Sequence, residues 1–548
     1  MRYRNLAPLL CVLLIFGACS TKHYRKSADK EAAAVIAQKT PAVPNMDTHF
    51  SIEVLEKLTL ADLPVAEKIE EFFGAEGEAE KGAGIISMEK ALEIGVKHSR
   101  TYQSRKELLY LQALELTLAR HNYTPIFSGG SQATYSSTRN AVDSLTEDRS
   151  VSVRSGVGVD WLLRTGGRVA ADFSTDFLRY VAGDPRAVSS SLLVGTFSQP
   201  LLRGAGYKIA LENLTQAERN LLYALRDFTR FRKEFSVEIA SAYYGVLQNR
   251  DAVRNSWRGF QNFKSNVERE KAFTEEGLRP QAALDQIKQA QLQTETRWIN
   301  AVRSYRQSLD RYKIQLGLPV NAHVILDDLE LEQLKILHPT VGVDEATKVA
   351  LETRLDLYNE REQAQDATRK IKVAANSLRT KLDLVGSASV GGAGGSGFAN
   401  PDFDRYGWSA GLDLDLPLDR KAQRNSYRAA LITNERAARE LQLAIDNIKL
   451  QINDGWRNLD QAKRNFEISE IGVELAARRV EEQELRAELG RGTARDLVDA
   501  QNDLINSKNE RTTALVGHTI ARLNFWRDMG ILMIKDNGQW EELSNAEN

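Results

Sequence analysis

The chain has 548 residues, with 73 basic and 74 acidic side chains and a net charge of −1, so no strong field points to nucleic acid or anionic lipid. Both cysteines lie among the first nineteen residues, which excludes a disulfide framework or a cysteine metal site in the rest of the chain. Only twelve prolines occur, and none lies beyond Pro417, a distribution that suits long unbroken helices.

Residues 1–18 read as an export signal: Arg2 and Arg4, an apolar run from Leu6 to Phe16, then small Gly17 and Ala18. Phe16-Gly17-Ala18-Cys19 resembles the bacterial lipobox, whose cysteine carries lipid, and Ser20 after it resembles the sorting signal for the outer membrane. An ordinary signal peptide with an incidental cysteine is the alternative. Beyond Cys19 no run of about 18 apolar residues exists, so a membrane crossing has to use strands. Residues 19–84 then form a polar, lipid-anchored extension, expected as an irregular tether with a short amphipathic helix.

From residue 85 the chain makes one journey twice, over 85–320 and 341–532, before a tail at 533–548. The first pass has a helix over 88–121, strands within 127–199, a long helix to 275, a turn at Gly277–Pro280 and a helix ending at Gly317. The second has a helix over 344–378, strands within 381–416, a long helix to 488, a turn at Gly490–Thr493 and a helix ending at Gly530. Three landmark pairs recur in order at nearly one spacing: Pro200 and Pro417, Gln291 and Gln501, Gly317 and Gly530. Such recurrence indicates a duplicated unit. In the long helix of the first pass, apolar residues from Leu214 to Val267 recur at alternate steps of three and four, the spacing of helices lying side by side.

The strands decide the environment. Val151, Val153, Val157, Val159 and Trp161 alternate with small or polar residues, and so do Val169, Ala171, Phe173 and Phe177. Trp408, Ala410, Leu412 and Leu414 repeat the pattern in the second pass. With Trp161, Tyr180, Tyr406 and Trp408 near strand ends, an apolar-out, polar-in transmembrane barrel is expected. Four to six strands per chain are too few to close one, since about eight is the minimum and an open edge in lipid leaves amides unpaired. Several copies therefore share a barrel. The expected fold class is an α+β membrane protein: long antiparallel helices, β-hairpins in a shared outer-membrane β-barrel, and two tandem repeats.

Together these features resemble the TolC-like outer-membrane efflux proteins over nearly the whole stretch from Ile85 to Leu532. The resemblance implies a homotrimer in which each subunit gives four strands to a twelve-stranded barrel and its helices to a long periplasmic α-barrel. It also implies a passive exit duct of a tripartite efflux or type I secretion system, served by a periplasmic adaptor protein and an inner-membrane pump. The first strand region is longer than this pattern needs: an extra pair near 150–180 either sits outside the barrel count, the reading favoured here, or reflects long bent strands. Asp496-Leu497-Val498-Asp499-Ala500 resembles the segment whose aspartates ring and close the periplasmic entrance. Gln286 and Gln289 stand at the matching places of the first repeat, and Ala487 stands where the family has a tyrosine. By the same resemblance the turns holding Gly277, Pro280, Gly490, Gly492 and Thr493 are adaptor-docking tips.

Asp496 also suits an ordinary helix N-terminus, where the dipole favours a negative charge. Seven scattered histidines show no metal-ligand spacing, and no nucleophile elbow or phosphate loop appears. No catalytic residue, metal or cofactor is therefore nominated. The glycine-rich stretch 391–397 joins two strands and reads as a hairpin loop. A periplasmic coiled-coil adaptor or scaffold is the competing reading; it explains the helices but not the duplicated alternating strands.

Overall fold

The computed structural model describes residues 20–53, 60–139, 147–182, 187–392, 401–489 and 491–541. The leader 1–18, Cys19, Gly490 and loop residues 393–397 lie outside the described residues. In chain order the elements are α1 (Thr21–Lys39), β1 (Gly84–Ile86), α2 (Met88–His98), α3 (Arg100–His121), β2 (Ile126–Arg139), β3 (Glu147–Leu162), β4 (Arg168–Ala182) and β5 (Ala187–Pro200). Then come α4 (Glu212–Glu275), α5 (Gln281–Leu316), β6 (Val324–Leu326), α6 (Val343–Thr353), α7 (Leu355–Ser377), β7 (Lys381–Gly392), β8 (Pro401–Asp415), α8 (Lys421–Glu488) and α9 (Ala494–Met529), with short helical turns between. A broken first helix, strands, a very long helix and a shorter one thus occur twice. No helix among the described residues is long and apolar enough to cross a membrane.

The chain divides into two compact units. The first, Met1–Lys39 with Tyr110–Ala224 and Glu360–Leu441, holds one antiparallel sheet in the order β2-β3-β4-β5-β7-β8. Its register sorts the side chains by face. One row across all six strands is Phe127, Val159, Ala171, Gly195, Ala388 and Trp408; the next is Gly129, Val157, Phe173, Leu193, Val390 and Tyr406. The opposite face carries rows such as Asp160, Ala170, Thr196, Ser387 and Ser409. Ion pairs cross it from Arg154 to Asp176 at 2.9 Å and from Arg168 to Asp160 at 3.0 Å. Among the described residues nothing covers much of the apolar face: Phe127, Tyr406 and Trp408 are 81%, 71% and 75% exposed. Trp161 shares that face near the end of β3, whereas Tyr180 pairs with Ser150 on the polar one. Tyr406 and Trp408 lie on the apolar face but in the middle of β8, not near its end as expected.

The strands near 150–180 are β3 and β4, lying between β2 and β5 in the ladder. They are strands in their own right and not parts of two long bent ones, which corrects that alternative. The cause is local. Thr165-Gly166-Gly167 makes a tight turn in which Gly166 has φ +92, a conformation that favours glycine. The flanking alternation then places Val157 opposite Phe173 and Val159 opposite Ala171.

Ahead of the sheet, α1 is a 19-residue helix that buries Ala32, Val35 and Ile36, more order than a tether supplies. Tyr110 Oη donates to Asp29 Oδ1 at 2.6 Å and Arg120 donates to Gln38 at 3.0 Å, tying α1 to α3.

The second unit, Thr40–Leu109 with Leu225–Asn359 and Gln442–Asn548, is helical. The expected seam of α4 is buried at Leu225, Phe228, Phe235, Ile239, Val246, Val253 and Phe263, each worth roughly 1.5–3 kcal/mol over exposure. Tyr102 of α3 packs into it with ring centroids 5.1 Å from Phe235 and 5.8 Å from Phe228. Residues 71–80 also pack in this unit. Glu80, only 2% exposed, accepts from Arg250 Nη1 at 2.7 Å, and Arg250 Nε donates to Asp328 at 2.9 Å. Phe72 and Phe73 place their rings against the same guanidinium, and Tyr305 Oη accepts from it at 2.8 Å. The charge is buried but well partnered, the condition for burying it at all.

Sequence periodicity gives single helices over 88–121 and 344–378. Both instead break, at Ser99 (φ −64, ψ 126) and Arg354 (φ −71, ψ 121). The reason lies at the far end of each repeat. Gly317 ends α5 with φ +86, and a Cβ there would collide with the His98 carbonyl oxygen. Gly530 ends α9 with φ +81, and its Cβ would meet Thr353 Oγ1 at 2.8 Å. Each repeat's closing glycine thus presses on the break in a first helix, and only glycine combines the left-handed φ with that approach. Gly317→Ala and Gly530→Ala are each expected to cost at least about 1–3 kcal/mol, while Gly245→Ala, with open space around it, is neutral or stabilising. Thermal melts of the three variants check this order.

His518 of α9 is fully buried, and neither ring nitrogen has a hydrogen-bond partner among the described residues. Burial, then nearby Arg522, His338 and Lys463, push its pKa down to about 4 from an ordinary 6.5. A depressed histidine pKa means that the folded state prefers the neutral ring. Stability is therefore full above pH 6.5 and falls as the pH drops toward 4, where the unfolded chain takes up the proton first, by up to roughly 3 kcal/mol. Denaturant melts of His518→Leu are expected to lose most of the slope between about pH 6.5 and 4.5; an unaltered slope would refute the assignment.

Candidate functional site

The two helix hairpins of the second unit end in turns built differently. In the first, Gly277 takes φ +70, its N–H donates to Thr274 O at 3.0 Å, and Leu278 N–H donates to Phe273 O at 2.9 Å. Pro280, with φ −75 and ψ 149, sits at the N-cap of α5, where its missing N–H costs nothing. In the second, Arg491 and Gly492 N–H groups both donate to Arg486 O, at 2.9 and 3.0 Å. Gly492 lies so close that a Cβ would stand 3.0 Å from Ala487 N. Thr493 then caps α9, accepting from Asp496 N–H at 3.1 Å, while its hydroxyl donates to Asp496 Oδ2 at 2.6 Å.

Asp496 and Asp499 both lie on the exposed side of the first turns of α9, and Leu497 and Ala500 point inward. Asp496 is part of a capping arrangement, so the helix-terminus role is real. Among the described residues, Asp499 has Arg495, 3.8 Å away, as its ion partner. Gln286 and Gln289 are likewise exposed on α5. Beneath these surfaces Phe263, Ile287, Ala290 and Ala494 form one apolar cluster that locks the two hairpins together.

Two features were not nominated from the sequence. Arg279 reaches across the hairpins: it meets both carboxylate oxygens of buried Glu270, at 3.2 and 3.3 Å, and donates to Ala487 O at 2.7 Å. Position 487 thus contributes through its backbone. Each turn also exposes a leucine, Leu278 at 70% and Leu489 at 64%. An apolar residue beside a turn glycine is the one sequence signal that points to them. Arg279→Ala leaves Glu270 buried and unpaired, so a loss of about 3–5 kcal/mol is expected. Arg279→Lys is expected to recover only part of it, because one ammonium cannot replace the guanidinium fork. Chemical denaturation of the purified variants measures both.

No family model matches the chain. Outer membrane protein TolC of Escherichia coli (strain K12) is 24% identical over 307 residues, which cover 54% of this chain and 61% of that protein. The chain thus spans about three fifths of the length of the curated relative it matches. The CmeC outer membrane channel of Campylobacter jejuni shares 13% identity with a TM-score of 0.59, over 84% of this chain and 87% of that one. The MtrE outer membrane channel of Neisseria gonorrhoeae, in its open state, shares 12% with a TM-score of 0.57, over 89% and 98%. A membrane protein from Pseudomonas aeruginosa gives 12% and 0.61, over 87% and 100%. The helix-rich architecture with its antiparallel sheet is therefore the fold of the TolC-like outer-membrane channels.

Proposed function

We propose that three copies of this chain form an outer-membrane exit duct that passively passes substrates delivered by a periplasmic adaptor protein and an inner-membrane pump. The sheet of the first unit is the observation that carries the reading: its apolar face is exposed, and β2 and β8 each have a strand neighbour on one side only among the described residues. In lipid such a sheet is stable only when further strands complete it. The polar face, with its Arg154–Asp176 and Arg168–Asp160 pairs, then lines the water-filled interior. A conduit needs orientation and closure rather than catalytic side chains, and no enzymatic role is assigned.

In this reading Cys19 carries lipid, residues 19–84 lead from that anchor, and the tips at Gly277–Pro280 and Gly490–Thr493 meet the adaptor, with Leu278 and Leu489 as the apolar part of the contact. Asp496 and Asp499, exposed in one chain, crowd together when three copies converge at the periplasmic mouth. Like charges at a constriction favour cations, and the bulk of the six side chains narrows the opening.

Planar-bilayer recording of the detergent-purified protein tests the reading. The wild type is expected to conduct with cation preference, and Asp496→Ala with Asp499→Ala to raise conductance several-fold. Channels that conduct with unchanged currents in the double variant would remove the gate assignment alone. A delipidated protein that stays soluble without detergent and never conducts favours the coiled-coil adaptor instead.

A further inference from the structure

We infer that the transmembrane barrel of this protein closes with eighteen strands, six from each of three copies, so that its pore is about half again as wide as a twelve-stranded one. The inference rests on the trimeric channel reading above and adds the β3–β4 hairpin to the wall. Three observations support it.

First, β3 is paired along nearly its full length on both sides, from Ile126↔Asp160 to Arg139↔Glu147 with β2 and from Arg149↔Ala182 to Leu162↔Arg168 with β4. A wall of four strands per chain would require β2 to leave β3 and pair with β5. The β2–β3 and β4–β5 ladders would open in a medium where each unpaired amide costs several kcal/mol.

Second, β3 and β4 obey the same division of faces as the other four strands. Val157 and Phe173 continue the apolar row that ends at Tyr406, and Arg154, Asp160, Arg168 and Asp176 fall on the polar face. A hairpin standing outside the lipid has no reason to keep an uncovered apolar side in register with the wall.

Third, the edges match. Six is even, so with every neighbouring pair antiparallel, β8 of one copy runs antiparallel to β2 of the next and no parallel seam arises. Edge strand β8 is 15 residues long and β2 is 14, enough to span the hydrocarbon at the tilt barrels adopt. A second copy of this chain is therefore the partner that each edge fits.

Geometry sets the width. At about 4.7 Å between strands and a tilt of roughly 40°, eighteen strands give a backbone diameter of about 35 Å, against about 24 Å for twelve. Equivalent backbone positions in a three-fold ring then lie about 30 Å apart rather than about 20 Å.

Ala410 on β8 provides the probe, being an exposed small residue on the apolar face, where a label points away from the barrel axis. Full-length Ala410→Cys protein, purified in detergent and spin-labelled, is measured by pulsed dipolar spectroscopy, with labelled wild type as background. With the label arm adding roughly 7 Å to the radius, the expected result is three spins per particle separated by about 40 Å. Three spins at about 30 Å would overturn the eighteen-strand wall and leave the trimeric channel standing. One spin per particle, with no dipolar separation, would overturn the trimer and this inference with it.

Discussion

An amide at the edge of a sheet must find a partner, and within a hydrocarbon layer that partner has to be another strand. Nearly everything distinctive in the first unit stems from this. The six-stranded sheet is long, amphipathic and unfinished, with its apolar side uncovered and two outer strands unpaired on one side among the described residues. In water those features are liabilities that soluble proteins suppress with charges, prolines or short strands. Their presence together is coherent only if the surroundings are apolar and further strands are at hand.

The second unit answers the opposite demand. Its helices are polar on average and must stay together in water, and they do so through narrow apolar seams supplemented by buried ion pairs. Arg250 shows the terms: its guanidinium is out of water, so Glu80, Asp328 and Tyr305 Oη take up its donors while Phe72 and Phe73 cover its faces. Glu80 comes from the N-terminal segment and Asp328 from the stretch joining the repeats, so one cation fastens three distant parts of the chain. Arg279 does the same on a smaller scale between the hairpin turns.

Much of this was legible from residues alone. Period-two alternation located the strands and even their faces, because each pleat exposes its choice of side chain directly. The seam of α4 was visible for the same reason at a period near 3.5. Three things escaped. The place of β3–β4 in the ladder depends on pairing partners, which alternation cannot name. The breaks at Ser99 and Arg354 carry no proline or glycine, since the cause in each case is a glycine distant in sequence, Gly317 or Gly530. The order within residues 20–84 was hidden because α1 and the Phe72-Phe73 segment bury few residues each and so leave weak periodicity. At the tips the aspartates were found through a motif, whereas Arg279 acts through geometry that no local pattern encodes.

The paired contacts Gly317 on His98 and Gly530 on Thr353 bear on how such a chain can drift. A duplicated ancestor would have passed the same hinge to both halves, and each copy depends on one missing side chain rather than on any particular neighbour. The two contacts differ in kind, since Gly317 meets the His98 carbonyl whereas Gly530 meets the Thr353 hydroxyl first and its main chain behind it. Selection can then replace almost every residue around the hinge while keeping two glycines. The two halves of this chain illustrate it, since the close approach recurs at both closing glycines although the residues it meets differ.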